Sequence, residues 1–171
     1  MIDTATASAA IAMLALAVQR RLERGTTDEE IDDLVDALQA RGGPDLHARH
    51  ARVPRRGAVG SAAPPRWAGQ LLHIKPILTL EDGEVLPLKR VRGNRKAIQE
   101  FAEAFRTATS DEPGLRVGVA HADAPERMAA VEQLVRDVRS ERTRSRSRRT
   151  LGPVVGTHAG PGTVGLFWFQ D

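Results

Sequence analysis

The residues Thr163-Val-Gly-Leu-Phe-Trp-Phe169 form a strand-like apolar run, entered through the glycine-rich string Leu151-Gly-Pro-Val-Val-Gly-Thr-His158-Ala-Gly-Pro-Gly162. This run reads as an extended element with an apolar wall, and the preceding string lies at its mouth. The preceding string places one histidine and several backbone N–H groups beside an apolar wall, because glycines let the backbone turn where a Cβ would intrude. That combination suits an anionic head group on an apolar ligand.

The rest of the chain supplies the layers. Apolar residues at helical spacing run from Ser8 through Leu22, and Gly25 is a stop signal. Asp3 stands where a signal peptide needs a basic flank, and the apolar run Ala7–Val18 is too short to span a bilayer, so it reads as a buried helix. Thr27 with Glu30 forms a capping-box pattern, and Ile31, Leu34, Val35 and Leu38 make one stripe of a second helix over Asp28–Ala40. Two successive helices of this kind predict a helical hairpin.

Ile74–Leu80 and Val85–Arg92 are extended runs around Asp82-Gly83, a two-residue hairpin signal. A helix is expected over Arg95–Thr107, a buried strand over Leu115–Ala120, and another helix from Pro125. This order predicts an α/β fold with a mixed sheet, the hairpin adding an antiparallel part. Two stretches lack periodicity. Gly42–Gly69 carries Pro44, Pro54, Pro64 and Pro65, and Ser140–Arg149 alternates arginine with Ser or Thr; they read first as a solvated loop and a charged edge.

At 171 residues the chain fits one ordinary domain, and its lack of cysteine excludes disulfides and thiolate metal sites and suits a cytoplasmic location. A net charge of +3 gives little attraction for a polyanion, since the arginines concentrate in two short stretches. Arg142, Arg144, Arg146, Arg148 and Arg149, within segment 139–149, define the alternative function of a nucleic-acid-binding module, but no aromatic side chain is interleaved with them to stack bases. His47 and His50 have no third ligand nearby, so no metal site is assigned. The carboxylates from Asp28 to Asp36 are a solvated helix face, and no Walker loop, dinucleotide fingerprint or nucleophile elbow occurs. No cofactor is expected, and a small-molecule enzyme using His158 as general base needs an adjacent acid or nucleophile that the sequence does not offer.

The ordered motifs Leu71-Leu-His-Ile-Lys75-Pro76-Ile-Leu, Asp82-Gly83-Glu84, Arg92-Gly-Asn-Arg-Lys-Ala97, Val119-Ala-His121-Ala and the His158 string resemble the C-terminal part of the DegV family, the fatty-acid-binding subunits of bacterial fatty acid kinase. The resemblance implies residues 1–43 as a helical segment from the end of an N-terminal domain, 44–70 as an irregular segment, and 71–171 as the C-terminal α/β domain. It implies that the N-terminal domain, whose Thr and Ser residues also grip the ligand, is absent. Its ligand is a long-chain fatty acid and its partner the catalytic subunit of a fatty acid kinase, with no nucleic acid, no membrane span and at most a transient membrane-surface contact.

By this resemblance His158 hydrogen-bonds the carboxylate, Gly160 and Gly162 hold the backbone close to the ligand, and Arg92 supplies a guanidinium for a carboxylate or acyl phosphate. On the residues alone, His158 reads first as a loop histidine, and Arg92 reads almost as readily as a surface arginine at a helix start. Arg90 and Arg95 are weaker candidates, His121 reads as a strand end, and Lys75 is a motif marker without a derived role.

The same resemblance suggests that both aperiodic stretches are translated out of frame. Leu46-His-Ala-Arg-His-Ala-Arg-Val-Pro54 can be written in codons that, moved forward by one nucleotide, read Phe-Thr-Pro-Ala-Thr-Leu-Glu-Tyr-Leu, which is close to the family's sequence there. Ser140–Arg149 shifts in the same direction to Ala-Asn-Ala-Pro-Glu-Ala-Glu-Val-Val-Ala, an apolar strand. The chain is thus expected to be a truncated or frameshifted copy whose binding on its own is weak or absent.

Overall fold

The computed structural model describes residues 4, 7–40, 47–51, 74–81, 84–111, 114–139 and 146–170. Its elements run α1 (Ala9–Arg24), α2 (Asp28–Ala40), β1 (His47–Ala51), β2 (Ile74–Glu81), β3 (Glu84–Arg92), α3 (Gly93–Ala108), β4 (Leu115–Ala122), α4 (Pro125–Val138), β5 (Arg146–Thr150), α5 (Pro153–Ala159) and β6 (Thr163–Gln170). The strands form one mixed sheet in the order β3-β2-β1-β6-β4-β5, in which β4 and β5 are parallel and every other neighbouring pair is antiparallel.

Local chemistry sets the helix ends. The Glu30 N–H donates to Thr27 Oγ1 at 3.2 Å and the Thr27 N–H to Glu30 Oε2 at 3.1 Å, which closes the capping box that starts α2. Gly25, at φ 78°, ends α1 and donates its N–H to the Leu22 carbonyl. Pro125 opens α4, where a missing N–H costs nothing. Pro76 lies outside the Ile77–Thr79 stretch of β2 that pairs with β1. Pro87 sits on edge strand β3 beside a register shift, a position that tolerates a missing donor.

The sheet is covered on both faces, and this explains the unbroken apolar run at the C-terminus. Along β6, Val164, Leu166 and Trp168 join the cluster built with Ala97, Phe101 and Phe105 of α3 and Val131, Leu134 and Val135 of α4. Phe167 and Phe169 point the other way, into the cluster of Ala10, Met13, Leu14 and Ala17 of α1 with Leu34 and Val35 of α2. Gly118 of β4 makes room for α1: a Cβ there would meet Met13 Sδ at 2.5 Å.

Two expectations are corrected. Segment 44–70 is not irregular throughout, since the backbone of β1 pairs with β2 on one side and β6 on the other. No alternation of apolar residues marks that strand; its pairing partners define it. The His158 string is also not a glycine loop, because Pro153–Ala159 winds into α5. Pro153 at the first helical position and Gly160 after the last, at φ 77°, are the start and stop that permit so short a helix. Of Ser140–Arg149, residues 146–150 form edge strand β5, while 140–145 lie outside the described residues, as do Asp82 and Gly83 of the expected hairpin turn. Around that turn, Glu81 pairs with Glu84 as a two-residue connection requires.

Candidate functional site

The registers Ile74↔Arg92, Ala51↔Ile77, Ala51↔Val164 and Ala122↔Thr163 bring the start of β2, the end of β3, the end of β4 and the start of β6 to one end of the sheet. That end is also where parallel strands β4 and β5 finish, the side on which open α/β sheets place their ligands. Arg92, which closes β3, and the α5–β6 turn with Gly160 and Gly162 therefore share it.

Backbone hydrogen bonds fix this end. The Leu151 N–H donates to the His121 carbonyl at 2.8 Å, and the Gly162 N–H to the Ala122 carbonyl at 2.6 Å. Thr163, fully buried, donates its hydroxyl to the Ala159 carbonyl at 2.8 Å and so ties the end of α5 to β6. Gly160 and Gly162 have φ of 77° and 84°, a left-handed conformation that a side chain would strain. The turn geometry alone thus accounts for both glycines.

His121 Nδ1 accepts the Ala124 N–H at 3.1 Å, so this ring caps the approach to α4, in keeping with its reading as a strand end. His158 lies in the last turn of α5 with an exposed side chain, and Arg92 is exposed at the start of α3. Among the described residues neither side chain makes a hydrogen bond or ion pair. Val155 of α5 packs on the cluster of the α1 face. The structure therefore brings His158 and Arg92 to the same end of the sheet without joining them in one contact.

A cavity lies nearby on the opposite, α3/α4 face. It is about 20 Å³ in volume and is lined by Lys75, Asn94, Ala97, Ile98, Phe101, Arg127 and Val164. Such a space admits a water-sized group and not a hydrocarbon tail. Lys75 is buried there, and burial together with the neighbouring Arg127 charge holds its ammonium below the usual lysine range. Arg127 Nη1 donates to the Gly162 carbonyl at 2.5 Å, linking this cavity to the glycine turn.

A model of the DegV family, described as uncharacterised proteins, matches residues 1–171. The chain belongs to the DegV family. A DegV domain-containing protein of Halalkalibacterium halodurans is 39% identical over 151 residues, covering 88% of this chain and 52% of the relative. A fatty acid-binding protein of Thermotoga maritima is 34% identical over 177 residues, covering 97% of this chain and 57% of the relative. The crystal structure of a DegV lipid binding protein from Thermotoga maritima superposes with a TM-score of 0.83 at 31% identity, covering 99% of this chain and 58% of that one. The chain spans about half the length of the curated relatives it matches.

Within this DegV fold, sequence reasoning missed Arg127 and left Lys75 without a role. Both had a signal. Lys75 shares its strand face with Ile77 and Thr79, all three buried, so the period of two already turned it inward. Arg127 sits in the first turn of α4, where the helix dipole disfavours a cation unless something nearby accepts from it. Among the described residues no three His, Cys, Asp or Glu side chains gather as metal ligands, and no helix is long and apolar enough to cross a membrane.

Proposed function

We propose that this chain is the C-terminal portion of a DegV protein that binds a long-chain fatty acid and presents its carboxylate to the catalytic subunit of a fatty acid kinase. The observation that carries this reading is the match, over nearly the whole chain, to a fatty acid-binding relative and to a lipid-binding DegV structure. In this reading His158 orients the carboxylate, Arg92 neutralises it or the acyl phosphate formed from it, and the Gly160–Gly162 turn allows close approach. The protein binds and presents; the kinase performs the chemistry.

An acyl chain gains about 0.8 kcal/mol for each methylene removed from water. The cavity of about 20 Å³ cannot hold that chain. The tail would then lie between this chain and the remainder of a full-length DegV protein, consistent with relatives of about twice the length. Exposed Ile11 and Leu22 of α1 and Val154 of α5 offer apolar surface for such a contact.

The frame reading belongs to the same proposal. A strand paired in parallel beside a buried one is ordinarily apolar, whereas β5 carries Arg146, Arg148 and Arg149. The shifted translation supplies apolar residues there. Coding DNA in which neither 46–54 nor 140–149 has a DegV-like translation in another forward frame would remove this part of the account.

The functional reading is tested on a chimera in which this chain replaces the matching portion of the Thermotoga maritima fatty acid-binding protein. Incubated with oleate, ATP and a fatty acid kinase catalytic subunit, the chimera should support acyl phosphate formation. No acyl phosphate formation by the chimera, with the kinase still active on its native partner, counts against it.

A further inference from the structure

Lys75 is the least expected residue on the α3/α4 face. It is only 8% exposed, and among the described residues its ammonium has neither a hydrogen bond nor an ion pair. Its stem is buried while the ammonium borders the cavity, where partial desolvation disfavours the charged form and its three donors are open to an acceptor. The second cation lining the same cavity, Arg127, adds like-charge repulsion instead of relief.

The third wall carries positive potential as well. The helix α3 begins at Gly93 with no side-chain cap and no acidic residue in its first turn, and Asn94 of that turn lines the cavity. Leading N–H groups of a sixteen-residue helix favour negative charge. Two cations and a helix start thus converge, with no carboxylate among the lining residues, while Ile98, Phe101 and Val164 keep the floor apolar and strengthen any charge pairing there.

We propose that Lys75, Arg127 and the first turn of α3 form a binding site for an oxyanion, either a phosphate or a carboxylate group. The cavity volume of about 20 Å³ takes one oxygen-sized part of such a group, which leaves the remainder at the mouth. The bound anion supplies the missing acceptor for Lys75, and the Arg127 guanidinium retains donors beyond the one spent on Gly162. This site does not rest on the fatty-acid reading, because it lies on the face opposite the one against which α5 packs.

The test titrates the 171-residue chain with inorganic phosphate and, separately, with octanoate, at ionic strength held constant with chloride. Amide resonances of Gly93 and Asn94 should shift in a saturable manner with at least one of the two anions, whether or not octanoate also shifts His158 and Gly160. Response to phosphate alone identifies a phosphate group as the ligand, response to octanoate alone a carboxylate, and response to both a general oxyanion site. Lys75→Met, close in shape but uncharged, should weaken the responding anion by about tenfold or more, the share of a charge-assisted hydrogen bond. Saturation with neither anion, or an unchanged affinity in Lys75→Met, overturns the proposal. If that variant fails to fold, the wild-type pattern decides: shifts centred on His158 and not on Gly93 and Asn94 reject the site. Fatty-acid binding by the chimera can succeed or fail without changing any of these outcomes.

Discussion

Replacing Phe105 by alanine should loosen the whole α3/α4 layer. The ring is fully buried and meets Trp168 edge to face, with centroids 5.4 Å apart and planes at 78°. It lies one turn beyond Phe101, which lines the cavity, so the same buried stripe anchors α3 and shapes the site. Truncating a buried phenylalanine costs about 3–5 kcal/mol, in which the aromatic pair accounts for about 0.5–1.5 kcal/mol. Against a total stability of about 5–15 kcal/mol this is a large fraction. For a chain of this size it lowers the melting temperature by about 6–20 °C. Thermal and urea unfolding followed by circular dichroism measure the loss, with Val154→Ala as a control at an exposed site, expected to change stability by no more than about 0.5 kcal/mol. A loss below about 1 kcal/mol for Phe105→Ala would refute the packing described for this layer.

Gly118→Ala should destabilise by about 1–3 kcal/mol, because the new methyl would sit 2.5 Å from Met13 Sδ and force that buried side chain to move. Pairing it with Met13→Ala should recover part of the loss, and strictly additive effects in the double mutant would contradict the contact. Lys75 gives a pH signature with a definite sign. On the acid side of its lowered folded value the charged ammonium bears the burial cost; as pH rises from that value towards 10.5, the folded chain loses the proton first and gains stability. Arg127 faces it from α4 across the cavity. Without added anion, Lys75→Met should therefore be more stable than wild type at pH below the lowered folded value, with the difference shrinking at alkaline pH; a constant difference would show that Lys75 is not desolvated. His158→Ala in the chimera should reduce fatty-acid affinity about tenfold while leaving stability within about 0.5 kcal/mol, as measured by displacement of a fluorescent fatty acid and by thermal unfolding. Lost stability with unchanged affinity would make His158 a structural residue.

Much of the fold was legible where local chemistry decides it. The Thr27–Glu30 capping box, the Gly25 stop and Pro125 at a helix start are short-range patterns, and the structure uses each of them in that way. The apolar runs of β4 and β6 were legible as strands because a sheet covered on both faces needs hydrocarbon on both sides of each strand. Strand order and the place of β1 were not legible. His47–Ala51 has no apolar alternation, and its position between β2 and β6 comes from partners remote in sequence.

The helix α5 escaped because seven residues make only two turns, too few to establish a period, and Gly156 within it favours a loop reading. The candidate site was legible in part. Arg92 and the glycine turn were singled out and share one end of the sheet, but the burial of Lys75 opposite Arg127 depends on how β2, α3 and α4 meet. Single residues carry no trace of that packing.

The most direct test of the account is native mass spectrometry of the chimera expressed in bacteria supplied with long-chain fatty acids. Fatty-acid binding predicts one bound fatty acid per molecule, retained through purification and lost or reduced in the His158→Ala form. A lipid-free chimera, alongside a lipid-loaded Thermotoga maritima protein treated in the same way, would contradict it.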